Sequence, residues 1–184
     1  MNGQLIRRVI LTGGPGAGKT AVLEELERRG YRVVPEAART IIRNRKREGL
    51  PLRPPPLEFA RQILASDLRQ YAAAAPLRSD LVFFDRGIPD SLGMLDQSER
   101  LSSGDRRRFI ERYPYHQPAF ILPPWRDIYR TDSERDQTFE DAVHVHDHLR
   151  DWYEQCGYNL LEVPQGSIDE RCAFVLRQVG ESPG

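Results

Sequence analysis

Arg8-Val-Ile-Leu-Thr-Gly-Gly-Pro-Gly-Ala-Gly-Lys-Thr20 joins an apolar run to a glycine-rich turn that ends in Lys-Thr. Within it Gly13, Gly14, Pro15, Gly16, Ala17, Gly18, Lys19 and Thr20 fit the spacing G-x-x-x-x-G-K-[ST] between a strand and a helix start. Glycines let the backbone curl until successive N–H groups point inward at phosphate oxygens, and the dipole of the following helix adds positive potential there. Lys19 reaches the β- and γ-phosphates, and the Thr20 hydroxyl takes one position on Mg²⁺. A glycine turn that binds nothing has no need of Lys and Thr at these two places. The segment predicts a P-loop that holds ATP, with GTP as the alternative nucleotide.

Outward from this loop, short apolar runs alternate with helical periodicities, the layout of a parallel sheet covered by helices on both faces. Residues 9–12, 31–35, 81–84, 119–122 and 159–163 read as five strands. Helices are expected over 18–29, 36–48, 57–75, 89–96, 103–112, 138–155 and 168–179. Residues 49–56 hold four prolines, three of them consecutive, which marks a stiff connector. The expected fold class is a three-layer α/β/α P-loop NTPase fold with a parallel five-stranded sheet. The 184 residues fit one domain, 1–184.

Lys plus Arg number 27 and Asp plus Glu also number 27, so no global field argues for nucleic acid or an anionic membrane as partner. Phosphate recognition must be local. Cys156 and Cys172 are too few for a disulfide framework or a four-ligand zinc site, and read as core thiols in a reducing compartment. No stretch approaches the ~20 apolar residues of a membrane span. The cytoplasm is the expected location.

A P-loop needs a second acid near Mg²⁺ at the end of a neighbouring strand, and Asp85, after Leu81-Val-Phe-Phe84, is the residue in that position. Thr20 and Asp85 are therefore the expected Mg²⁺ ligands. Arg86 follows, where a water-splitting ATPase often carries Glu, and this favours transfer to a bound acceptor. Its planar donors match an acceptor or a transferring phosphoryl group. Glu36 and Arg39 fall at the same edge of the sheet, where ligands of open parallel sheets bind. Glu36 reads as the acceptor's base or a ligand of sugar hydroxyls, or else as a helix N-terminal carboxylate favoured by the dipole. Asp90 either caps the next helix or holds an arginine. Residues 123–137 mix arginines with acids and read as a lid that brings Arg130 and Arg135 to the phosphoryl group on closing. Arg106, Arg107 and Arg108 read as a solvated helix face. His144 and His148 share a polar helix face while His146 lies on the apolar one, an arrangement short of a third zinc ligand.

Taken in order, Arg8 to Thr20, Val34-Pro-Glu-Ala-Ala-Arg39, Val82-Phe-Phe-Asp-Arg-Gly-Ile-Pro-Asp90 and Tyr129-Arg-Thr-Asp-Ser-Glu-Arg135 resemble the AAA-type ATPase/kinase family related to the kinase domain of the bacterial NAD regulator NadR. The likeness runs from about residue 6 to 178. The Asp-Arg-Gly-x-Pro-Asp element is far more selective than the P-loop alone. The resemblance implies a kinase-like sheet ordered 2-3-1-4-5 and places residues 163–168, with Pro164, at the adenine. In the NadR group the acceptor is nicotinamide riboside. The expected activity is Mg-ATP-dependent phosphoryl transfer to an unidentified small molecule, nucleoside-like or phosphosugar-like. Catalysis would fall to Lys19, Asp85, Glu36, Arg86, Arg130 and Arg135, and acceptor binding to Glu36, Arg39 and Arg86. The rival expectation is an ATP- or GTP-binding regulatory module, or an NTPase without such an acceptor.

Overall fold

The computed structural model describes residues 6–77, 79–129 and 138–182. Its strands are β1 (Arg7–Gly13), β2 (Arg32–Val34), β3 (Leu81–Asp85), β4 (Ala119–Leu122) and β5 (Leu160–Glu162). All pair in parallel, in the order β2-β3-β1-β4-β5. Seven helices complete the described residues: α1 (Lys19–Arg28), α2 (Ala37–Arg47), α3 (Pro56–Ala73), α4 (Ile88–Ser98), α5 (Ser103–Arg112), α6 (Phe139–Gln155) and α7 (Ile168–Gln178). The layered fold and the strand order agree with the sequence reading.

Side chains alternate across a strand, and here the alternation divides the core into two layers. Val9 and Leu11 of β1, with Leu81 and Phe83 of β3, meet Val22 and Leu26 of α1 and Val175 and Leu176 of α7. Ile10, Val82 and Phe84 face the other way, onto α3, α4 and α6 through Leu64, Leu92 and Trp152. A central strand buried on both faces must be apolar throughout, which is why β3 was visible as Leu-Val-Phe-Phe.

The ends of elements differ from the sequence reading in small ways. The edge strands β2 and β5 have three residues each against the five expected. Tyr31 is drawn out of β2 because its N–H closes onto the Leu26 carbonyl (3.1 Å) and its ring packs edge-on against Phe83 (5.4 Å). Helix α3 begins at Pro56, inside the expected connector, since the missing proline N–H is no loss in a first turn. It stops at Ala73, as Pro76 biases the residue before it toward extended backbone. His146, on the apolar face of α6, is buried. Arg106 leaves the solvated face to lie over the Trp152 ring (5.3 Å). Cys156 and Cys172 are buried free thiols. No helix among the described residues is long and apolar enough to cross a membrane.

One buried carboxylate ties these layers together. Asp90 accepts from the Thr12 hydroxyl (2.6 Å), the Tyr153 hydroxyl (2.6 Å) and the Gly87 N–H (2.9 Å). It also pairs with Arg86 at 3.4 Å. Both readings of Asp90 therefore hold, the helix cap and the arginine partner. Asp90→Ala would leave two hydroxyls and a guanidinium short of an acceptor, and should cost about 3 kcal/mol. Tyr153→Phe, which removes one donor, should cost about 1 kcal/mol. Urea unfolding of the two variants measures both values, and near-parental stability of Asp90→Ala would contradict the network.

Candidate active site

The P-loop leaves β1 at Gly13, whose backbone (φ 146°) lies so close to β4 that a Cβ would stand 2.7 Å from the Leu122 carbonyl oxygen. Gly16 and Gly18 both have φ 73°, a left-handed conformation that favours glycine. Gly18 also abuts Arg171, whose guanidinium would be 2.6 Å from an added Cβ. Arg171 is buried and donates to the Ala17 carbonyl (2.7 Å), so α7 clamps the loop from behind. At α5, α6 and α7 the Ser102, Thr138 and Ser167 side chains cap the first turn. Helix α1 has neither a side-chain cap nor an acid in its first turn. Its amides and dipole stay directed at the loop, where an anion completes them.

Parallel register sets Leu11 beside Asp85 and so brings the ends of β1 and β3 together. The Lys19 ammonium contacts the Asp85 carboxylate, and both groups are buried. Burial, with the positive field of Arg86, lowers the Lys19 pKa. Immediately after Asp85 the backbone of Arg86 takes φ 67°, the only positive value at a non-glycine residue among those described. That conformation costs roughly 1–2 kcal/mol. It turns the guanidinium to donate to the Gly13 carbonyl (2.8 Å) and to lie 3.3 Å from Glu36 and 3.4 Å from Asp90.

Glu36 stands at the N-terminus of α2 between Arg86 (3.3 Å) and Arg39 (2.9 Å). Burial works to raise its pKa, but the charges of Arg86, Lys19 and Arg39 outweigh it and hold the carboxyl below the ordinary range. These charges favour its carboxylate form.

A single cavity of about 1430 Å³ runs from Gly14, Lys19 and Thr20 past Glu36, Arg39 and Arg86. Gly13 and Asp85 are buried beneath its wall. Pro164 is exposed and off that wall. Its loop is tied to the segment after β4 by Gln165, which donates to the Pro124 carbonyl (3.4 Å). Arg130 and Arg135 lie outside the described residues, as does the lid beyond residue 129. At the lid's beginning Tyr129 covers Gly16, with ring atoms 2.4 Å from where a Cβ would be. His144 and His148 face the cavity, and His148 bonds to Gln97 (3.1 Å).

Sequence reasoning missed two buried residues at this site. Arg171, behind the loop, has its guanidinium over the Trp125 ring (5.7 Å). Asp67 of α3 lines the cavity although it is buried. Its signal was present: Phe59, Ile63 and Asp67 follow at intervals of four on the buried face of α3, so a carboxyl interrupts an apolar stripe. Burial raises Asp67 to about 7, against an opposing hydrogen bond with Ser91 and with added repulsion from Asp90 and Glu36.

A family model described as an AAA domain, AAA_28, matches residues 8–171. The chain belongs to this family. No curated protein matches the sequence significantly. Among solved structures, this AAA domain has the fold of deoxyadenosine kinase from M. mycoides with bound dATP, at TM-score 0.62 and 13% identity over 95% of this chain and 100% of that one. Thymidylate kinase from Ehrlichia chaffeensis superposes at TM-score 0.59 and 13% identity, covering 96% and 99% of the two chains. NadR in complex with NR superposes at TM-score 0.61 and 16% identity over 88% of this chain and 46% of NadR.

The Asp67 carboxyl gives this AAA domain a testable pH dependence. Between the ordinary aspartate range near 4 and about 7 the folded chain holds a proton that the unfolded chain has released. Stability contributed by this group is complete below that window and is lost as pH rises through about 7. Asp67→Asn should abolish this decline and be the more stable protein at pH 8. Urea midpoints from pH 4 to 8 provide the comparison, and parallel profiles for parent and variant would refute it.

Proposed function

We propose that this chain is a Mg-ATP-dependent phosphotransferase with a small-molecule acceptor, nucleoside-like or phosphosugar-like. The observation that carries the reading is a carboxylate, Glu36, bracketed by Arg86 and Arg39 and opening into the same cavity as Lys19 and Thr20. A cavity of about 1430 Å³ exceeds the usual span of roughly 300–1,000 Å³ for one small ligand, as suits two substrates side by side. The kinase fold of the solved neighbours is consistent with this reading.

In the proposed reaction the loop amides and Lys19 hold the β- and γ-phosphates. The acceptor oxygen forms a bond to the γ-phosphorus as the bond to the β,γ-bridging oxygen breaks. ADP departs, and the acceptor's hydroxyl proton passes to Glu36. Arg86 and Arg39 orient the acceptor, and the 123–137 segment closes over it with Arg130 and Arg135. The family resemblance alone assigns the adenine to the 163–168 loop with Pro164, which is off the cavity wall. Thr20, on the cavity wall, and Asp85, which contacts Lys19, would supply a hydroxyl and a carboxylate, a partial set that fits Mg²⁺, which keeps water and phosphate among its ligands. Bound there, Mg²⁺ would neutralise charge on the phosphates.

Two substitutions separate binding from chemistry. Lys19→Ala should weaken Mg-ATP binding at least tenfold by titration calorimetry, since it deletes the ammonium of the phosphate site. Glu36→Gln should leave that affinity near parental while lowering the rate of labelled phosphate transfer by about 10²- to 10⁴-fold. A screen of nucleosides and sugar phosphates that yields only ADP and inorganic phosphate, at equal rates in parent and Glu36→Gln, would rule the phosphotransferase out.

A further inference from the structure

Helix α2 carries five cations and no acid over Ala37–Arg47. Arg39, Arg43 and Lys46 recur at i, i+4 and i+7, which is one face of a helix, and that face lines the cavity. Arg53, from the proline-rich connector, lines it too. Arg39 has Glu36 as its partner. For Arg43, Lys46 and Arg53 no carboxylate lies within salt-bridge distance among the described residues.

Elsewhere on this surface some arginines have carboxylate partners: Arg28 pairs with Glu25, Arg61 with Glu99, Arg108 with Asp105 and Arg126 with Glu140. Others, among them Arg69, Arg100 and Arg107, have none within salt-bridge distance among the described residues. What sets Arg43, Lys46 and Arg53 apart is that all three line one cavity. In a chain of zero net charge three unpaired cations facing one cavity are a local excess. The helix dipole accounts for basic residues in the last turn of α2, hence for Arg45, Lys46 and Arg47. It does not account for Arg43, one turn further back, or for Arg53, which is outside the helix. Like charges along one helix face repel, and an anion in the cavity relieves that repulsion.

The row also has a direction. Glu36 caps the end of α2 nearest the P-loop, and the seven residues from Arg39 to Lys46 rise about 10 Å along the axis. An acceptor with its hydroxyl at Glu36 therefore has its other end among Arg43, Lys46 and Arg53. Guanidinium groups match phosphate oxygens with paired donors, and the lysine adds a point charge.

Resting on the phosphotransferase reading, we infer that the acceptor is itself a phosphate ester. Its phosphate is held by Arg43, Lys46 and Arg53, and a hydroxyl of the same molecule is presented at Glu36. A nucleoside monophosphate and a sugar phosphate both have this chemistry, whereas an uncharged nucleoside lacks it.

The experiment uses the full chain with its P-loop saturated by Mg²⁺ and a non-hydrolysable ATP analogue. It is titrated with three matched pairs: adenosine and AMP, thymidine and TMP, ribose and ribose 5-phosphate. In at least one pair the phosphorylated member should bind tenfold or more tightly than its neutral counterpart, and which pair responds tells nucleotide from sugar phosphate. Arg43→Ala combined with Lys46→Ala should erase that preference while the analogue's affinity and the unfolding midpoint stay near parental. Arg47→Ala, which removes one charge from the same helix but off the cavity, should preserve it. Absence of a preference in all three pairs, or its survival in the double variant, overturns the inference. Labelled ATP added to the same acceptors tests the underlying reading separately. A preference without transfer leaves the phosphate site standing and removes the kinase, whereas transfer to neutral members without a preference does the reverse.

Discussion

Two hydroxyls, a backbone N–H and a guanidinium converge on the carboxylate of Asp90, and the geometry of the cleft follows from that convergence. Thr12 is the last residue of β1 before the P-loop glycines, Tyr153 belongs to α6, and Gly87 opens α4. A buried carboxylate is tolerable only when its lone pairs are met, so these three elements can approach in one arrangement. The fourth donor, Arg86, passes the constraint on to the Gly13 carbonyl and to Glu36. The start of the phosphate loop and the candidate base are thus held by one chain of polar contacts.

That chain runs beside a second pair, Lys19 with Asp85, and the two together alternate in sign across the base of the cleft. Burial alone would neutralise groups of this kind. Each instead has an opposite charge within reach, and the net effect is visible at Glu36, where three cations overcome desolvation and favour the carboxylate form. Asp67, which lines the same cavity, has repulsion from Asp90 and Glu36 added to burial, and its pKa is raised to about 7. Two carboxyls lining one cleft are thereby shifted in opposite directions, Glu36 down and Asp67 up.

The parts of this arrangement legible in the sequence are those encoded by local pattern. β1 and the loop were readable because backbone demands at Gly16 and Gly18 coincide with residue identity, and β3 because burial on both faces leaves no polar position. Asp85 and Arg86 could be found from their place at a strand end. Asp67 showed only as a carboxyl within an apolar stripe and Arg171 not at all, since what makes each notable is its neighbours: Ser91, Asp90 and Glu36 for the one, Ala17 and Trp125 for the other. Those contacts join α3 to α4 and α7 to the P-loop, and no spacing along the chain reports them. Edge strands were read too long for a related reason. Their limits are set by pairing on one side only, and at Tyr31 a helix carbonyl takes the N–H that a strand would have used.

The same contacts explain why an arginine follows Asp85. The backbone at this position is turned into a left-handed conformation that directs the side chain at Glu36 and Asp90. A glutamate there, of the type that orients water in many ATPases, would face two carboxylates and leave the Gly13 carbonyl without its donor. The left-handed backbone costs roughly 1–2 kcal/mol, and in return the guanidinium meets Glu36, Asp90 and the Gly13 carbonyl, which would otherwise lack that donor. Architecture and charge therefore make the same demand at residue 86: the group that pins the start of the P-loop also prevents a carboxylate from occupying its place, and it leaves Glu36 on the cavity wall between two arginines.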